Sequence, residues 1–485
     1  MIVLPKFKMP GLLAGFFLLI FSCSVGPDYR APKSVMPAAW LEGWNIGIDA
    51  QPGELARWWT EFKDPLLNSL VERAVKFNLD IFVAEARIRE ARAVLGVTEA
   101  GAWPSINTAS SYTRSRTSEN SFFSGGGQSS GGSSFSSPNN LQHDLFKTGF
   151  DAGWEIDLFG ATRRRIEAAE ASVDAALEDR RGVLVTLLGD VAKNYIDLRG
   201  LQRRLSVAQA NLRAQQETLR LTKIRFDAGL AGGLEVAQAD GQAQSSAAQI
   251  PLLEAGLKQT VYRLDLLLGG QPGLLWKELA PDAPIPALPP QAHVGVPVDL
   301  LRRRPDIRRA ERQLAAATAQ IGAATADLYP KFSLSGAFGL QSISASDWFT
   351  GPSRFWSIGP TITWPIFDAG KIRANIEVRN AQQEQALLLY QKSVLSALQD
   401  VESALVNYSQ EQSRYRSLLE AAAANRRAVQ LANDLYTQGL VAFLNVLDAE
   451  RSLYISESDL AQSEANMASN LVALYKALGG GWETK

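Results

Sequence analysis

The chain has 485 residues, 49 Lys and Arg against 50 Asp and Glu, a formal net charge of -1 and 46% hydrophobic residues. A balance this close to neutral offers no electrostatic footprint for nucleic acid, and the basic runs Arg163 to Arg165 and Arg302 to Arg304 read as solvated helix starts. Two His and one Cys are too few for a dedicated metal site, and the absence of a nucleophile–base set or a phosphate loop argues against an enzyme.

At the N-terminus, Lys6 and Lys8 precede the apolar run Gly11 to Phe21, which is too short to cross a bilayer as a helix. Residues 1–22 therefore read as a secretory signal. The run ends at Ile20-Phe21-Ser22-Cys23, which resembles a bacterial lipobox, in which the signal is removed ahead of a Cys that becomes lipidated. Cys23 is the one Cys of the chain. A covalent lipid there would anchor the mature N-terminus to a leaflet, and no other cofactor is expected. Ser24, the next residue, resembles the outer-membrane sorting choice. Residues 23–64 are rich in Pro and Trp (Trp40, Trp44, Trp58, Trp59) without periodicity, and read as an irregular strap on the outside of the helices.

Asp64-Pro65 is a helix start, and one helix is expected from there to Ala102, ahead of Trp103-Pro104. The period then changes to two. Phe146, Phe150, Ala152, Trp154, Ile156 and Leu158 alternate with Lys147, Gly149, Asp151, Gly153, Glu155 and Asp157, with Ile106 to Arg114 a weaker partner in a hairpin over 105–158. A Gly/Ser-rich loop, Ser115 to Asn140, joins them. Strands of about ten residues with one apolar and one polar face are the signature of a transmembrane β-barrel.

From Ala161 to Ala228 there are 68 residues without Pro, carrying an apolar stripe of heptad period: Leu177, Leu184, Leu188, Val191, Tyr195, Leu198, Leu205, Leu212 and Leu219. Heptads sustained this long mean a coiled coil, and at about 1.5 Å per residue the helix would be roughly 100 Å long. It turns at Ala228-Gly229-Leu230. A shorter helix, Ala231 to Leu268, carries Pro251, which should kink it or sit where a neighbour re-satisfies the freed carbonyl. A Pro-rich linker over 271–298 follows.

The sequence then repeats. Residues Gly160 to Gly270 slide by 210 positions onto Gly370 to Gly480 without a gap, and Asp80 to Pro104 slide by 226 onto Asp306 to Pro330. The body is thus an internal duplication: a first repeat over 65–270 and a second over 299–480, before a tail at 481–485. The second repeat has a helix from Asp299 to Leu328, a hairpin over 331–367, a long helix from Lys371 to Gln438, the turn Gln438-Gly439-Leu440 and a short helix from Val441 to Leu478. Its strands set Phe332, Leu334, Phe338 and Leu340, then Trp356, Ile358, Ile362, Trp364 and Ile366, against polar alternates. Its upper and lower short helices total 68 residues, one long helix stacked in two pieces.

Four strands cannot close a barrel, and an open edge cannot face lipid. The chain must therefore oligomerise. Two, three or four protomers would give 8, 12 or 16 strands, and since an 8-stranded barrel is filled by its own side chains, a duct needs at least three protomers.

Several segments together resemble one family: the lipobox followed by Val25-Gly26-Pro27-Asp28-Tyr29, Ile250 to Glu254 (IPLLE), Leu300 to Ile307 (LLRRRPDI), Ala310-Glu311, and the duplicated Gly-Leu turns. They look like the lipoprotein (NodT-like) branch of the TolC-type outer-membrane factors, and the match runs over essentially the whole chain. The resemblance implies an α+β membrane protein: a homotrimer with a 12-stranded β-barrel in the outer membrane, continued into a 12-helix coiled-coil tunnel in the periplasm. It implies the exit duct of a tripartite efflux system, coupled through a periplasmic adaptor (a membrane fusion protein) to a proton-driven inner-membrane pump of the resistance-nodulation-division type, and lipid-anchored in the outer membrane. A type I secretion duct would share this architecture, and a surface coiled coil would share the heptads but not the strands.

The resemblance also assigns the closed end. Gly229-Leu230 and Gly439-Leu440 would form the tips on which the adaptor docks, although both read equally as helix C-caps with Gly at C′. Leu444, Asn445 and Asp448 share one helical face. In three copies Leu444 would make an apolar ring and Asp448 a carboxylate ring that attracts cations; a seam Leu and a solvated Asp are the alternatives. The chain departs from the TolC pattern in two ways. Asn445 stands where TolC has an acidic ring, and Val441 replaces the Arg that locks the neighbouring hairpin, while Tyr436 keeps its aromatic neighbour. Glu235 is therefore expected to lack its partner.

Overall fold

The computed structural model describes residues 24–33, 36–41, 48–49, 55–116, 142–289, 292–293 and 295–483. The signal segment, Cys23, Trp44 and most of the Gly/Ser-rich loop lie outside the described residues. The chain forms two compact units, one made of Met1–Arg30, Ala91–Val173 and Gln313–Ala386, the other of Ala31–Glu90, Asp174–Arg312 and Leu387–Lys485.

The first unit is built on a four-stranded antiparallel sheet, with Ser105–Arg116, Gln142–Ile156, Lys331–Ser342 and Arg354–Thr363 side by side in that order. The register pairs Phe150 with Phe338 and Phe338 with Trp356, and on the other face Lys147 with Gln341. Directly opposed residues share a face, so the expected alternation becomes one apolar and one polar surface. The first strand alternates weakly because Thr108 and Ser110 lie on the apolar face. Cross-strand bonds hold it instead: Ser110 Oγ lies 2.6 Å from Thr148 Oγ1, and Thr108 Oγ1 donates to the Gly149 carbonyl at 3.1 Å. The last strand ends at Thr363, short of the expected Trp364 and Ile366. Pro365 lacks the N–H that would extend the ladder, and Trp364 Nε1 donates instead to the Leu328 carbonyl at 3.0 Å. Its counterpart Trp154 donates to Ala102 at 2.9 Å, so each hairpin is tied to the helix end that precedes it. Among the described residues, the two outer strands are each paired along one edge only.

The N-terminal segment docks in this unit. Val25 N–H donates to Phe159 O at 3.1 Å, and Arg164 donates to Asp28 at 2.7 Å. Gly26, at φ +91°, lies so close to Gly322 that a Cβ would sit 2.4 Å from its Cα.

The second unit is mainly helical, around a large core and a smaller buried cluster. The helices Ala161–Asp227 and Lys371–Thr437 run 67 residues each without a break, and their stripe residues Leu188, Val191, Tyr195, Leu198, Val394, Val401, Leu405 and Tyr408 are buried. The strap is less external than the sequence suggests. Leu55–Phe62 is a 3-10 helix that sends Trp58 and Phe62 into the core, with Trp58 stacked on Tyr475 at 5.4 Å. Asp64 caps the following helix through Leu66 and Leu67 N–H and accepts from Tyr195 Oη at 2.7 Å.

Three helices expected to be continuous are broken, each for a local reason. Pro65–Phe77 ends at Asn78, whose Oδ1 accepts from Asp80 and Ile81 N–H and so starts Leu79–Ala100. Leu300–Arg303 stops at Arg304, which precedes a proline and is extended (ψ 116°), before Pro305–Ala326. At Pro251 the helix is interrupted: Gly233–Ala247 ends, Ala248 and Gln249 stay in the right-handed helical region, and the proline sits in the first turn of Ile250–Leu267. Phe443–Ala477 is unbroken. The expected tail is also tied down. Gly481 N–H donates to Leu55 O at 2.8 Å, and the Trp482 ring lies between the Arg181 and Arg308 guanidiniums, 4.5 and 5.3 Å from its centroid.

Candidate gate at the two Gly-Leu turns

Both long helices end in the same motif. Gly229 N–H donates to Phe226 O at 2.9 Å and Leu230 N–H to Arg225 O at 2.8 Å; Gly439 and Leu440 repeat the pattern on Tyr436 and Leu435 at 3.0 and 2.9 Å. These paired bonds close off orphan carbonyls at a helix end, and they require a left-handed residue. Gly229 and Gly439 supply it at φ 72° and 73°. Leu230 and Leu440 are 69% and 67% exposed, apolar side chains standing in the open at both turns.

Beyond the second turn, the helix Phe443–Ala477 divides its first turns between two faces. Phe443, Val446 and Glu450 are buried, whereas Leu444, Asn445 and Asp448 are exposed together on the opposite side. The three residues read from the sequence as a gate therefore share one uncovered face of the protomer. The buried side is thin: a cluster of Ala239, Phe443 and Val446, with Leu219, Ala432, Tyr436 and Leu447 packed on it.

Glu235 is not without a partner. Tyr436 Oη donates to its Oε2 at 3.0 Å, linking the first-repeat hairpin to the second. Burial and the Glu235 carboxylate push the Tyr436 hydroxyl above its ordinary range, so it stays a donor. Arg225 completes the group by lying over the Tyr436 ring at 4.7 Å, with Phe443 packed on the ring at 5.3 Å. Glu235 thus has a tyrosine hydroxyl as its partner, with an arginine from the first long helix stacked on that ring. Sequence reading missed Arg225, although its position four residues before Gly229 placed it in the last turn.

It also missed Glu450. This carboxyl is 6% exposed. One oxygen accepts from Thr218 Oγ1 at 2.8 Å, and the other is buried with no hydrogen-bond partner among the described residues. Desolvation pushes its pKa up, with Thr218 opposing the shift. The signal was present in the spacing Phe443, Val446, Glu450, which puts a carboxylate on an otherwise apolar stripe.

Comparison with known proteins completes the picture. The family model described as "Outer membrane efflux protein" matches residues 70–270 and 296–480. The chain is 34% identical over 473 residues to Nodulation protein T of Rhizobium leguminosarum bv. trifolii, covering 96% of each. It is 32% identical over 487 residues to the solvent efflux pump outer membrane protein SrpC of Pseudomonas putida, covering 98% of this chain and 99% of that one. The solved outer-membrane channel OprN superposes with a TM-score of 0.86 at 37% identity, covering 95% of this chain and 100% of its own.

Proposed function

The chain belongs to the outer membrane efflux protein family, and on that premise we propose that three copies of it close a duct gated at the two Gly-Leu turns. It is the outer-membrane exit duct of a tripartite efflux system, and it extends into the periplasm. The family works with a periplasmic adaptor and an inner-membrane pump.

The observation that carries the trimer is the sheet. Four strands have one apolar face, one polar face and two unpaired edges, and lipid tolerates no open edge. Three copies give twelve strands, the next multiple of four above the eight that side chains fill. The apolar face meets lipid, the polar face lines the bore, and twelve helices form the periplasmic tunnel. The halves of each protomer act as a duplicated unit, supported by the matched Trp154 and Trp364 hydrogen bonds. A lipid on Cys23 anchors the N-terminus, and the docked segment from Val25 to Asp28 fits such an anchor. The pump is of the resistance-nodulation-division type, and its adaptor meets the turns at Gly229-Leu230 and Gly439-Leu440.

At the tip, three Leu444 side chains form an apolar constriction that dewets, and three Asp448 carboxylates beside it hold cations. Asn445 adds a neutral polar ring. The Glu235–Tyr436–Arg225 contacts hold each protomer's two hairpins together. Planar-bilayer recording tests the gate: Leu444→Ser should raise resting conductance, and Asp448→Ala should reduce cation preference. Wild-type conductance and selectivity in both variants would move the gate elsewhere.

A further inference from the structure

The apolar face of the sheet changes character at its loop end. Beyond Tyr112 it continues as Arg114 and Arg116, opposite Asp144 and Gln142, and the last strand opens on Arg354 opposite Leu340. At the helix end the same face carries Ile106, Trp154, Ile156, Phe332 and Ile362, and no paired position there is charged. The arginines border an aromatic ladder: Tyr112 on Phe146 at 4.8 Å, Phe146 on Trp348 at 5.4 Å, Trp348 on Phe349 at 4.8 Å. Phe349 is 72% exposed.

Among the described residues, two carboxylates share this rim. Asp144 accepts from Tyr112 Oη at 3.0 Å and lies 3.6 Å from Arg114 Nε, while Ser346 Oγ donates to Asp347 at 3.3 Å. Arg114 nevertheless keeps 64% of its side chain exposed, and Arg354 Nε donates to a backbone carbonyl, that of Gly351, at 3.2 Å. An arginine on the lipid face is costly at mid-membrane and nearly free of cost at the interface. A rim of arginines on an otherwise apolar face therefore marks the level of lipid headgroups. The helices that adjoin the other end are periplasmic, so this headgroup layer belongs to the cell-surface leaflet, whose lipids are phosphorylated glycolipids. Guanidinium forks match phosphate oxygens two at a time.

We propose that the loop end of this face is a docking surface for a phosphorylated glycolipid of the outer leaflet. Arg114 and Arg354 take its phosphates, the Tyr112–Phe349 ladder contacts its sugars, and Phe150, Phe338 and Trp356 lie along its acyl chains. This rests on the reading of the sheet as a lipid-facing barrel wall.

The test uses the full-length protein in detergent, with bisphosphorylated lipid A as probe and native mass spectrometry as readout. Wild type should retain lipid A, and the double variant R114Q/R354Q should bind it about tenfold or more weakly. Dephosphorylated lipid A should bind wild type as weakly as the variant binds the intact lipid, a comparison that needs no mutation. Lys147→Gln, on the polar face, should change nothing. Equal binding by wild type and double variant, or equal binding of the two lipids, overturns the proposal. Displacement of the lipid by inorganic phosphate alone would reduce the rim to a free-anion site and overturn it too. Insertion into lipid vesicles is measured on the same preparations. Wild type that fails to insert refutes the barrel wall itself, whereas wild type that inserts without lipid A preference refutes only the docking surface.

Discussion

Four glycines end four helices of the second unit in nearly the same conformation, yet their surroundings differ. Gly229, Gly269, Gly439 and Gly479 have φ of 72°, 69°, 73° and 74°. A Cβ on Gly269 would lie 2.4 Å from Phe77 O, and one on Gly479 would lie 2.8 Å from Arg303 O, whereas nothing lies within 4 Å of that point at Gly229 or Gly439. One pair is needed for backbone conformation and for space, the other for conformation alone. The first pair directly follows Leu268 and Leu478, which belong to the large core with Trp58, Phe62, Leu264 and Tyr475. The second tops a region whose buried cluster has three members. Local stability follows the density of buried apolar contact, so the linker region holds the fold and the turns are left free to move.

The comparison should break first at Trp58. Truncating this 1% exposed side chain, Trp58→Ala, should cost about 3–5 kcal/mol of stability in thermal unfolding of the purified protein. A loss no larger than that of a tip variant would erase the distinction between the regions.

The glycines sharpen it, because one substitution is made in one conformation at two places. Gly439→Ala should cost about 1–2 kcal/mol, from the left-handed backbone alone. Gly479→Ala carries the same penalty and must also displace the backbone of Arg303 and Arg304. Equal melting temperatures for the two variants would refute the argument from surroundings.

Glu450 gives the tip a pH dependence. Burial holds its pKa above the ordinary glutamate value, so the folded chain keeps the proton over a range in which the unfolded chain has lost it. The neutral carboxyl's contribution is therefore complete below the unfolded value and is lost as pH rises through the folded one. Glu450→Gln should flatten that fall and stabilise the protein at neutral pH. Melting curves taken from about pH 4 to about pH 8 decide it, and parallel slopes in wild type and variant would rule the effect out.

The smallest change belongs to the exposed face. Leu444→Ser and Asp448→Ala should each alter stability by about 0.5 kcal/mol or less, since neither side chain leaves a core cavity. A loss comparable with that at Gly479 would assign both residues to packing rather than to the bore.

Much of this was legible before any coordinates. The heptad stripe placed two long helices to within a residue at either end, because seam burial repeats along the whole length and local errors average out. Strand faces followed from alternation wherever it was strong, and the turns from Gly-Leu steps after Pro-free runs. The helix breaks were less legible. Asn78 is of a type favoured at helix N-caps, but it sits inside an apolar-periodic run, and it ends a helix because its side chain accepts from Asp80 and Ile81 N–H and donates to the Leu267 carbonyl at 2.9 Å. Pro251 was visible, but whether a proline kinks a helix or begins one depends on where the preceding helix stops.

By itself the sequence determined what repeats and what is local: the duplication, the period of each segment, the faces of helix and strand, and the positions where only glycine turns the chain. Those follow from sterics and from the burial of apolar side chains, which act over a few residues. Tertiary structure alone decided who meets whom. Tyr436 reaches Glu235 across 201 residues, Tyr475 donates to Glu61 across 414, and Trp482 lies between Arg181 and Arg308. Periodicity says that a face is covered, but a polar partner is selected by distance and angle between side chains that only the packed helices bring together.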